Sequence, residues 1–440
     1  MSHSGWLCLG GTEIVNQERV STYAAAGWKP ERWVIDKCNS CGPEIAYALE
    51  EPNGLYSNPG SDKAPWFSGS EPDSFDFGGL YVLAITGLGP GQFTRSSTQR
   101  ASGLGAVFGP GVQASPLIVV TGLLLGRTCC AVEYGYRWLS NVLRGSCGAD
   151  CDGDDLAFLD CCPEWCDDSP EFTSYADCME PFLRTMKNVT LVAAPVITAR
   201  YGGSCGCDGA AIMQVQFTLS AGQPCVFRPP TEVESGVAFN LDEVTPCPTW
   251  IPTDPGTPCL GTNCAEPADC LADPLCAPPA KPPVPPPPSN PCICNPFQTV
   301  SACIDLPSTA IPEFAEGVPI IEVSSGSDEL RQVKMRFIPN PLGLPVDELD
   351  PCTACGEVTL SRIPPFSTFR MDGMERTVTI LCPGDAVADA TPLLGVADGR
   401  LPFRFPEIAC SSAYTMCVEA DSVTVAPDAS ISLSIAVREC

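Results

Sequence analysis

The stretch Ile212–Gly222, IMQVQFTLSAG, alternates apolar and polar residues from Met213 to Ser220. Its odd-numbered residues from Met213 to Leu219 are apolar, and its even-numbered residues from Gln214 to Thr218 are polar. Successive side chains of a β-strand point to opposite faces, so this pattern predicts a strand with one buried face. The rest of the chain is interpreted outward from this strand.

Further runs on both sides of this stretch are typical of strands. They are rich in β-branched and apolar residues, bounded by Gly and Pro, and show no rhythm of strand, helix, strand. The sequence therefore predicts a mainly β (α+β) fold with antiparallel sheets. The predicted strands include Leu80–Leu88, Pro116–Gly126, Thr190–Tyr201 and Arg331–Pro341, and two near the end, AYTMCVEA and SVTVAPDASISLSIAV.

Two later patterns make specific predictions about side chains and a turn. In Arg331–Pro341 the apolar residues Val333, Met335 and Phe337 alternate with Gln332, Lys334 and Arg336, which predicts one apolar and one polar face. In Phe369–Ile380 two alternating segments flank Asp372-Gly373, which predicts a hairpin with a two-residue type I′ turn.

Two short helices are predicted in the first half of the chain. Asn16–Gly27 offers Asn16 as a cap and Gly27 as a stop. Val132–Gly145 carries an apolar stripe at helical spacing and ends at a glycine. We expect both stripes to pack against a sheet.

A segment rich in Pro and Cys separates two strand-rich parts of the chain. Ten prolines occur within LCAPPAKPPVPPPPSNPCICNPF, residues 275–297, where neither a helix nor a central strand is expected. We predict an extended polyproline II path without helix or strand from Ala277 to Pro291. The predicted organisation is a β-rich domain with two helices over residues 1–235, a linker over 236–297, and a β-sandwich of galectin-like or jelly-roll type over 298–440.

The balance of charged residues excludes several classes of function. The 440-residue chain has 52 acidic and 24 basic residues, a formal net charge of −28, which opposes binding to nucleic acid. Its single histidine, His3, lies near the start, so catalytic arrangements that need a fixed imidazole are not expected. Residues 1–30 show no secretory signal, and no apolar run is long enough to cross a bilayer. We expect no enzyme activity, cofactor, nucleic-acid binding or membrane insertion.

The 28 cysteines are many for a chain without an export signal. Three interpretations stay open: disulfides formed after release from a cell, zinc sites made of cysteines alone, and buried free thiols. Paired spacings are scattered, as at Cys38/Cys41 and Cys352/Cys355, and not gathered in one small unit. Disulfides with some free thiols are therefore favoured over zinc.

One acidic loop is a candidate calcium site. Asp150, Asp152 and Asp154 alternate as ligands do in an EF-hand, but Asp155 stands where that loop needs glycine and Cys161 where it needs glutamate. The mismatch favours an acidic surface loop bracketed by cysteines over a calcium site.

An ordered series of segments resembles minor tail proteins of siphophages that infect actinobacteria. The segments are GGTEIVNQERVSTYAAAG, FGGLYVLAITGL, VVTGLLLGRTCCAVEYGYRWLSNVLRGS, LDCCPEWC and FLRTMKNVTLVAAP, then VKMRFIPNPLG, DPCTACGEVTLSRIPPFSTFRMDGMERTV and LPFRFPEIAC. Within that group the chain is similar to distal tail proteins, and the similarity covers most of the chain on both sides of the linker.

This resemblance implies a structural protein without catalytic residues. Its N-terminal domain is expected to form a ring, with six copies the expected number, and its C-terminal sandwich to project outward. The expected partners are the tail tube protein and other tail-tip and baseplate proteins, and the expected location is the virion tail tip after assembly in the host cytoplasm. Two alternatives stay open: an adhesin whose C-terminal domain binds host-surface glycan, and a hydrolase that uses paired carboxylates.

Overall fold

A computed structural model describes most of the chain, which divides into two compact units. Unit 1 holds residues 1–229 and 438–440, and unit 2 holds residues 230–437. The predicted domain ranges 1–235, 236–297 and 298–440 stay predictions, and the proline segment Ala277–Pro291 lies outside the described residues. Those described are 5–28, 56–100, 104–145, 153–161, 179–202, 209–242, 299–350, 353–384, 386–395, 405–408 and 413–440.

Unit 1 is built mainly from antiparallel strands, as the sequence predicts. Its helices are α1 (Gln17–Tyr23), α2 (Pro72–Asp76) and α3 (Cys129–Val142), with a π-helical turn at Ala24–Trp28 and a 3-10 turn at Glu180–Phe182. Its strands are β1 (Trp6–Leu9), β2 (Thr12–Asn16), β3 (Phe77–Thr86), β4 (Phe93–Gln99), β5 (Ala106–Gln113), β6 (Leu117–Gly126), β7 (Asp154–Leu159), β8 (Leu183–Gly202), β9 (Ala211–Ala221) and β10 (Val226–Phe227).

The long strand β8 takes part in two sets of pairings. Its first residues lie between β7 and β10, with Met186 opposite both Leu156 and Val226. From Val189 onward it pairs with β9, which pairs with β6, which pairs with β3. Strand β7 continues the first set to β1 and β2. One continuous backbone therefore connects two groups of strands in unit 1.

The apolar face predicted for Ile212–Gly222 is confirmed in β9. Met213, Val215, Phe217 and Leu219 are all at most 2% exposed and belong to the core of unit 1. Helix α3 contributes to the same core, and its Gly135 lets the helix backbone lie close to the ring of Phe77. A Cβ at Gly135 would lie 2.1 Å from the ring of Phe77, so a larger residue there would push the helix off the sheet.

Both predicted helices form, but their ends differ from the prediction. The Asn16 side-chain oxygen accepts a hydrogen bond from the Arg19 amide at 3.0 Å, as expected for the cap of α1. Gly27 does not end that helix, because the backbone continues from Tyr23 into a π-helical turn that includes Gly27. Helix α3 begins three residues before the predicted start, because the Thr128 hydroxyl caps it by accepting a hydrogen bond from the Ala131 amide.

Unit 2 is a sandwich of two antiparallel sheets. One has the order β18-β17-β16-β13-β21-β11 and the other the order β12-β20-β14-β15-β19. Both contribute to one apolar core, as expected for a sandwich. The strands are β11 (Thr231–Ala238), β12 (Thr299–Leu306), β13 (Glu316–Ser324), β14 (Leu330–Pro339), β15 (Gly356–Ile363), β16 (Thr368–Asp372), β17 (Thr377–Cys382), β18 (Ala386–Asp389), β19 (Leu394–Gly395), β20 (Tyr414–Asp421) and β21 (Ser430–Glu439), with 3-10 turns at Ser308–Ala310, Val346–Glu348 and Thr391–Leu393.

The predicted hairpin over Phe369–Ile380 forms, but its predicted turn is wrong. Asp372 pairs with Thr377, so four residues form the loop and not two. The Asp372 carboxylate accepts hydrogen bonds from the Met374 and Glu375 amides, which holds this longer loop in place. The left-handed residue is Arg376, with φ 55°, and not Gly373. The local side-chain bonds of Asp372 therefore select a wider turn than Asp-Gly predicts.

Residues 438–440 complete unit 1 beside strand β10. Arg438 and Glu439 pair with Phe227 and Val226, and Cys440 forms a disulfide with Cys225. Glu439 also accepts a charged hydrogen bond from Arg228 at 2.7 Å. Unit 1 is therefore assembled from two segments that are far apart in the sequence.

The described cysteines are in part bonded and in part free, as favoured from the sequence. Cys225–Cys440 closes unit 1, and Cys303–Cys417 joins β12 to β20 in unit 2. The described free thiols are Cys8, Cys130, Cys161, Cys355 and Cys382.

Removing the Cys225–Cys440 bridge should destabilise unit 1. The double change Cys225→Ser and Cys440→Ser should lower the free energy of unfolding by about 2–5 kcal/mol, because the bridge constrains two distant segments in the unfolded chain. Chemical denaturation under non-reducing conditions measures this. Cys355→Ser, which removes an exposed free thiol, is the control and should change nothing. An unchanged unfolding midpoint in the double variant would contradict the stabilising role.

Candidate assembly surfaces and charged sites

The four strand segments β3, β6, β9 and the second part of β8 form a sheet with almost no charge. Residues 77–86, 117–126, 189–202 and 211–221 contain one charged residue, Arg200, which pairs with Glu133 of α3 at 2.5 Å. Several apolar side chains on these strands are nevertheless exposed. They are Leu83, Leu117, Val192 and Val196, each between 47% and 61% exposed. We call this the uncharged sheet.

Strands β4 and β5 form a separate two-stranded ribbon, which we call the arm together with Arg100, the residue directly after β4. Phe93 pairs with Gln113 at its base, and Gln99 pairs with Ala106 toward its tip. None of the residues in β4 or β5 is buried. The exposed apolar side chains of these strands are Phe93, Val107, Phe108 and Val112, each more than half exposed. The arm therefore presents apolar side chains that no layer of described residues covers.

The arm leaves the uncharged sheet through a base built on glycine. It is inserted between β3 and β6, which pair with each other. A Cβ at Gly87 would lie 1.9 Å from the Leu117 carbonyl oxygen, and one at Gly91 would lie 1.8 Å from that of Ala114. Only glycine allows backbones to approach so closely, so these two positions fix where the arm begins.

The arm and the uncharged sheet share a stretch without any acidic residue. No Asp or Glu occurs from Phe77 to Val132, although the chain has 52 acidic residues in 440. The arm itself carries Arg95 and Arg100, and the Arg95 guanidinium lies 5.1 Å from the centre of the Phe93 ring. The arm is therefore locally positive on a strongly negative chain.

Of the three predicted calcium ligands, the structure describes one. Asp150 and Asp152 lie outside the described residues. Asp154 is the first residue of β7 and is buried, opposite Val189 of β8. The neighbouring Asp155 pairs with the Lys187 ammonium at 2.5 Å. Because two of the three aspartates lie outside the described residues, the calcium site stays a prediction.

The described ranges hold neither a metal-ion cluster nor a membrane-spanning helix. Those ranges contain no cluster of three or more His, Cys, Asp or Glu side chains placed to hold a metal ion. Nor do they include a helix long and apolar enough to cross a membrane.

Of Trp28, Trp33 and Trp66, three tryptophans whose rings could in principle form a sugar-binding platform, Trp66 is a core residue. It is 3% exposed and packs edge to face against Tyr23, Phe77 and Trp138. Its indole nitrogen donates to the Phe77 carbonyl at 3.0 Å. Trp33 and the side chain of Trp28 lie outside the described residues. The described tryptophan therefore supports packing and not glycan binding.

In unit 2, strand β14 has the predicted polar positions, but two of its charged side chains are buried. Lys334 is 4% exposed and Arg336 is 1% exposed, although their positions alternate with the apolar residues as expected. Glu357 of β15 lies opposite Arg336, and Glu419 of β20 lies opposite Lys334. Cross-strand partners of opposite charge therefore allow these two cations to be buried.

These four side chains form one charged cluster. Arg336 Nε donates to Glu357 Oε2 at 2.8 Å, and Arg336 Nη1 bonds to Glu419 Oε1. Lys334 Nζ lies 2.9 Å from Glu357 Oε1. Burial raises the pKa of Glu419 in spite of the nearby Arg336, and it lowers the pKa of Lys334. Desolvation therefore outweighs attraction for these two groups.

Three comparisons with known proteins were made. No protein-family model matches the sequence, and no curated protein does. Among solved structures, the SPP1 Dit protein, described as a paradigm of the hub adsorption apparatus in phages that infect Gram-positive bacteria, matches at 10% identity with a TM-score of 0.37, covering 83% of this chain and 94% of that one. A chain of the phage p2 baseplate in its activated conformation with strontium matches at 10% identity with a TM-score of 0.33, covering 77% and 90%.

The resemblance of the sequence to distal tail (Dit) proteins is thus found again among solved structures.

The charged cluster predicts a specific dependence of stability on pH. Because the folded-state pKa of Glu419 lies above the ordinary value of 4.5, ionisation of this group lowers stability as pH rises through the folded pKa. Glu419→Gln should therefore leave the free energy of unfolding at pH 7 unchanged or higher, since Arg336 keeps Glu357 as its partner. The difference from the wild type should vanish as the pH falls below 4.5.

Denaturation of both proteins between pH 4 and pH 8 measures this difference. Arg336→Met serves as the contrast. It leaves Glu419 without its arginine partner and should lower the free energy of unfolding by about 3–5 kcal/mol. A clear loss of stability in Glu419→Gln at pH 7 would show that the ionised pair stabilises the sandwich instead.

Proposed function

We propose that this chain is a structural component of a phage tail tip, where copies form a ring that joins the tail tube to the baseplate hub and fibres. The ordered segments that resemble minor tail proteins support this proposal. The proposed partners are further copies of the chain, the tail tube protein and other tail-tip proteins. Six copies are the number that the resemblance implies.

The observation that carries this proposal is the uncharged sheet. Charged residues are depleted at the centres of protein interfaces, whereas free surfaces of soluble proteins are usually charged. The chain has a net charge of −28, yet this four-stranded sheet contains one charged residue and exposes Leu117 and Val196. Formation of an interface accounts for this departure from an ordinary charged surface. A protein that works by assembly needs such a surface, whereas a catalyst needs a pocket with reactive groups.

The described residues give no support to the two alternative functions. In unit 2 the exposed aromatic side chains of the described residues are Phe314 and Phe366, whose rings offer no hydrogen bonds to a sugar. Glu357 and Glu419 share Arg336 as a partner, which suits an ion-pair role better than hydrolysis. Glycan binding and carboxylate chemistry therefore stay predictions from the sequence.

Negative-stain imaging of the purified full-length chain tests the proposal. We expect closed rings with a central opening, and mass photometry of the same sample should give one dominant multiple of the 46.4 kDa chain mass. As a control, imaging in denaturant should show no rings. A chain that stays monomeric at every concentration, or that forms only open aggregates, would contradict the ring.

A further inference from the structure

We infer that the arm, strands β4 and β5, binds an acidic surface on a second copy of this chain. This inference rests on the proposed ring and names the element that joins one copy to the next. Its basis is the combination of exposure, composition and charge found in the arm and absent from the strands beside it.

The first argument is the stability of the arm itself. A two-stranded ribbon that stands alone is marginally stable in water and normally needs a third strand or a covering layer. Among the described strands β4 pairs with β5 alone, so the described part of the chain supplies neither to the arm. Its apolar residues Phe93 and Phe108 are 59% and 64% exposed. Packing against another molecule would supply the missing layer.

The second argument is charge. A strongly negative chain repels its own copies, and this repulsion must be overcome wherever two copies meet. The arm has Arg95 and Arg100 and no acidic residue, whereas the chain as a whole has a net charge of −28. A positive arm on a negative body is complementary to a second copy of the same chain, so self-association is favoured over binding to a basic partner.

The third argument is how the arm is attached. Gly87 and Gly91 hold the base at backbone separations that no other residue allows, and the Gly91 amide donates to the Pro224 carbonyl at 2.6 Å. The arm therefore has a fixed base and an exposed length. An element that is anchored at its base and carries exposed apolar side chains beyond it, such as Val107 and Phe108, is suited to reach a neighbour.

Two arm variants of the full-length chain test this inference by sedimentation velocity. Phe93→Ser with Phe108→Ser removes the exposed rings, and we expect self-association to weaken by about tenfold or more. Arg95→Glu with Arg100→Glu reverses the charge, and we expect weaker association at low salt with less of a difference at high salt. Because these residues are exposed, the melting temperatures should stay within about 2 °C of the wild type.

Matched controls change the same kinds of residue outside the arm. Phe314→Ser with Phe366→Ser removes two exposed rings of unit 2, and Arg362→Glu with Arg376→Glu gives the same change in net charge. Both controls should associate as the wild type does. A loss of association equal to that of the arm variants would show a general effect of hydrophobicity or charge and would overturn the inference.

The possible outcomes distinguish a failure of the inference about the arm from a failure of the proposed ring. Closed rings that persist in both arm variants would overturn the role of the arm and leave the proposed function standing. Open oligomers in the wild type that dissociate in the arm variants would support the arm and contradict the ring. A wild-type chain that stays monomeric would overturn both. Binding of the arm to purified host-surface glycan, with no self-association, would also overturn the inference.

Discussion

The double pairing of strand β8 is the constraint on which unit 1 depends. Residues before Val189 pair with β7 and β10, and residues after it pair with β9, so one backbone fixes the register of both groups. Because a shift of one residue would turn every buried side chain outward, the buried Met186 and Val189 hold the register of this strand. The position of the uncharged sheet, and hence of the arm, follows from this register.

The pairing of residues 438–440 extends the same constraint to the rest of the chain. Strand β10 lies between β8 and these residues, and Cys225 is bonded to Cys440. All of unit 2 lies in sequence between the two segments that meet here. Unit 1 therefore gains this edge strand only when residues 438–440, which are distant in the sequence, pair with β10. The pairing depends on long-range contacts, and the disulfide depends on oxidation.

Residue patterns predict most of the strands but not the environment of every side chain. The alternation in β9 fixes its buried face because Met213, Val215, Phe217 and Leu219 all pack in one core. The same alternation in β14 predicts that Arg336 is exposed. This prediction is wrong, because Glu357 and Glu419 of neighbouring strands form ion pairs with Arg336 and allow it to be buried. The turn after Asp372 likewise depends on hydrogen bonds to its carboxylate. The arm is not predicted from the sequence, because β4 has Phe93 as its single apolar residue and β5 contains Gly109-Pro110-Gly111, which is unusual in a strand.

The distribution of charge connects the fold to assembly. A net charge of −28 spread evenly would oppose contact between copies everywhere, yet Phe77–Val132 has no acidic residue and includes both the arm and two strands of the uncharged sheet. The fold places these segments side by side, since the arm is inserted between β3 and β6. One continuous stretch of chain therefore supplies the regions where repulsion between copies is weakest. Because the repulsion elsewhere remains, this distribution of charge supports the proposed association of copies through this surface over association through others.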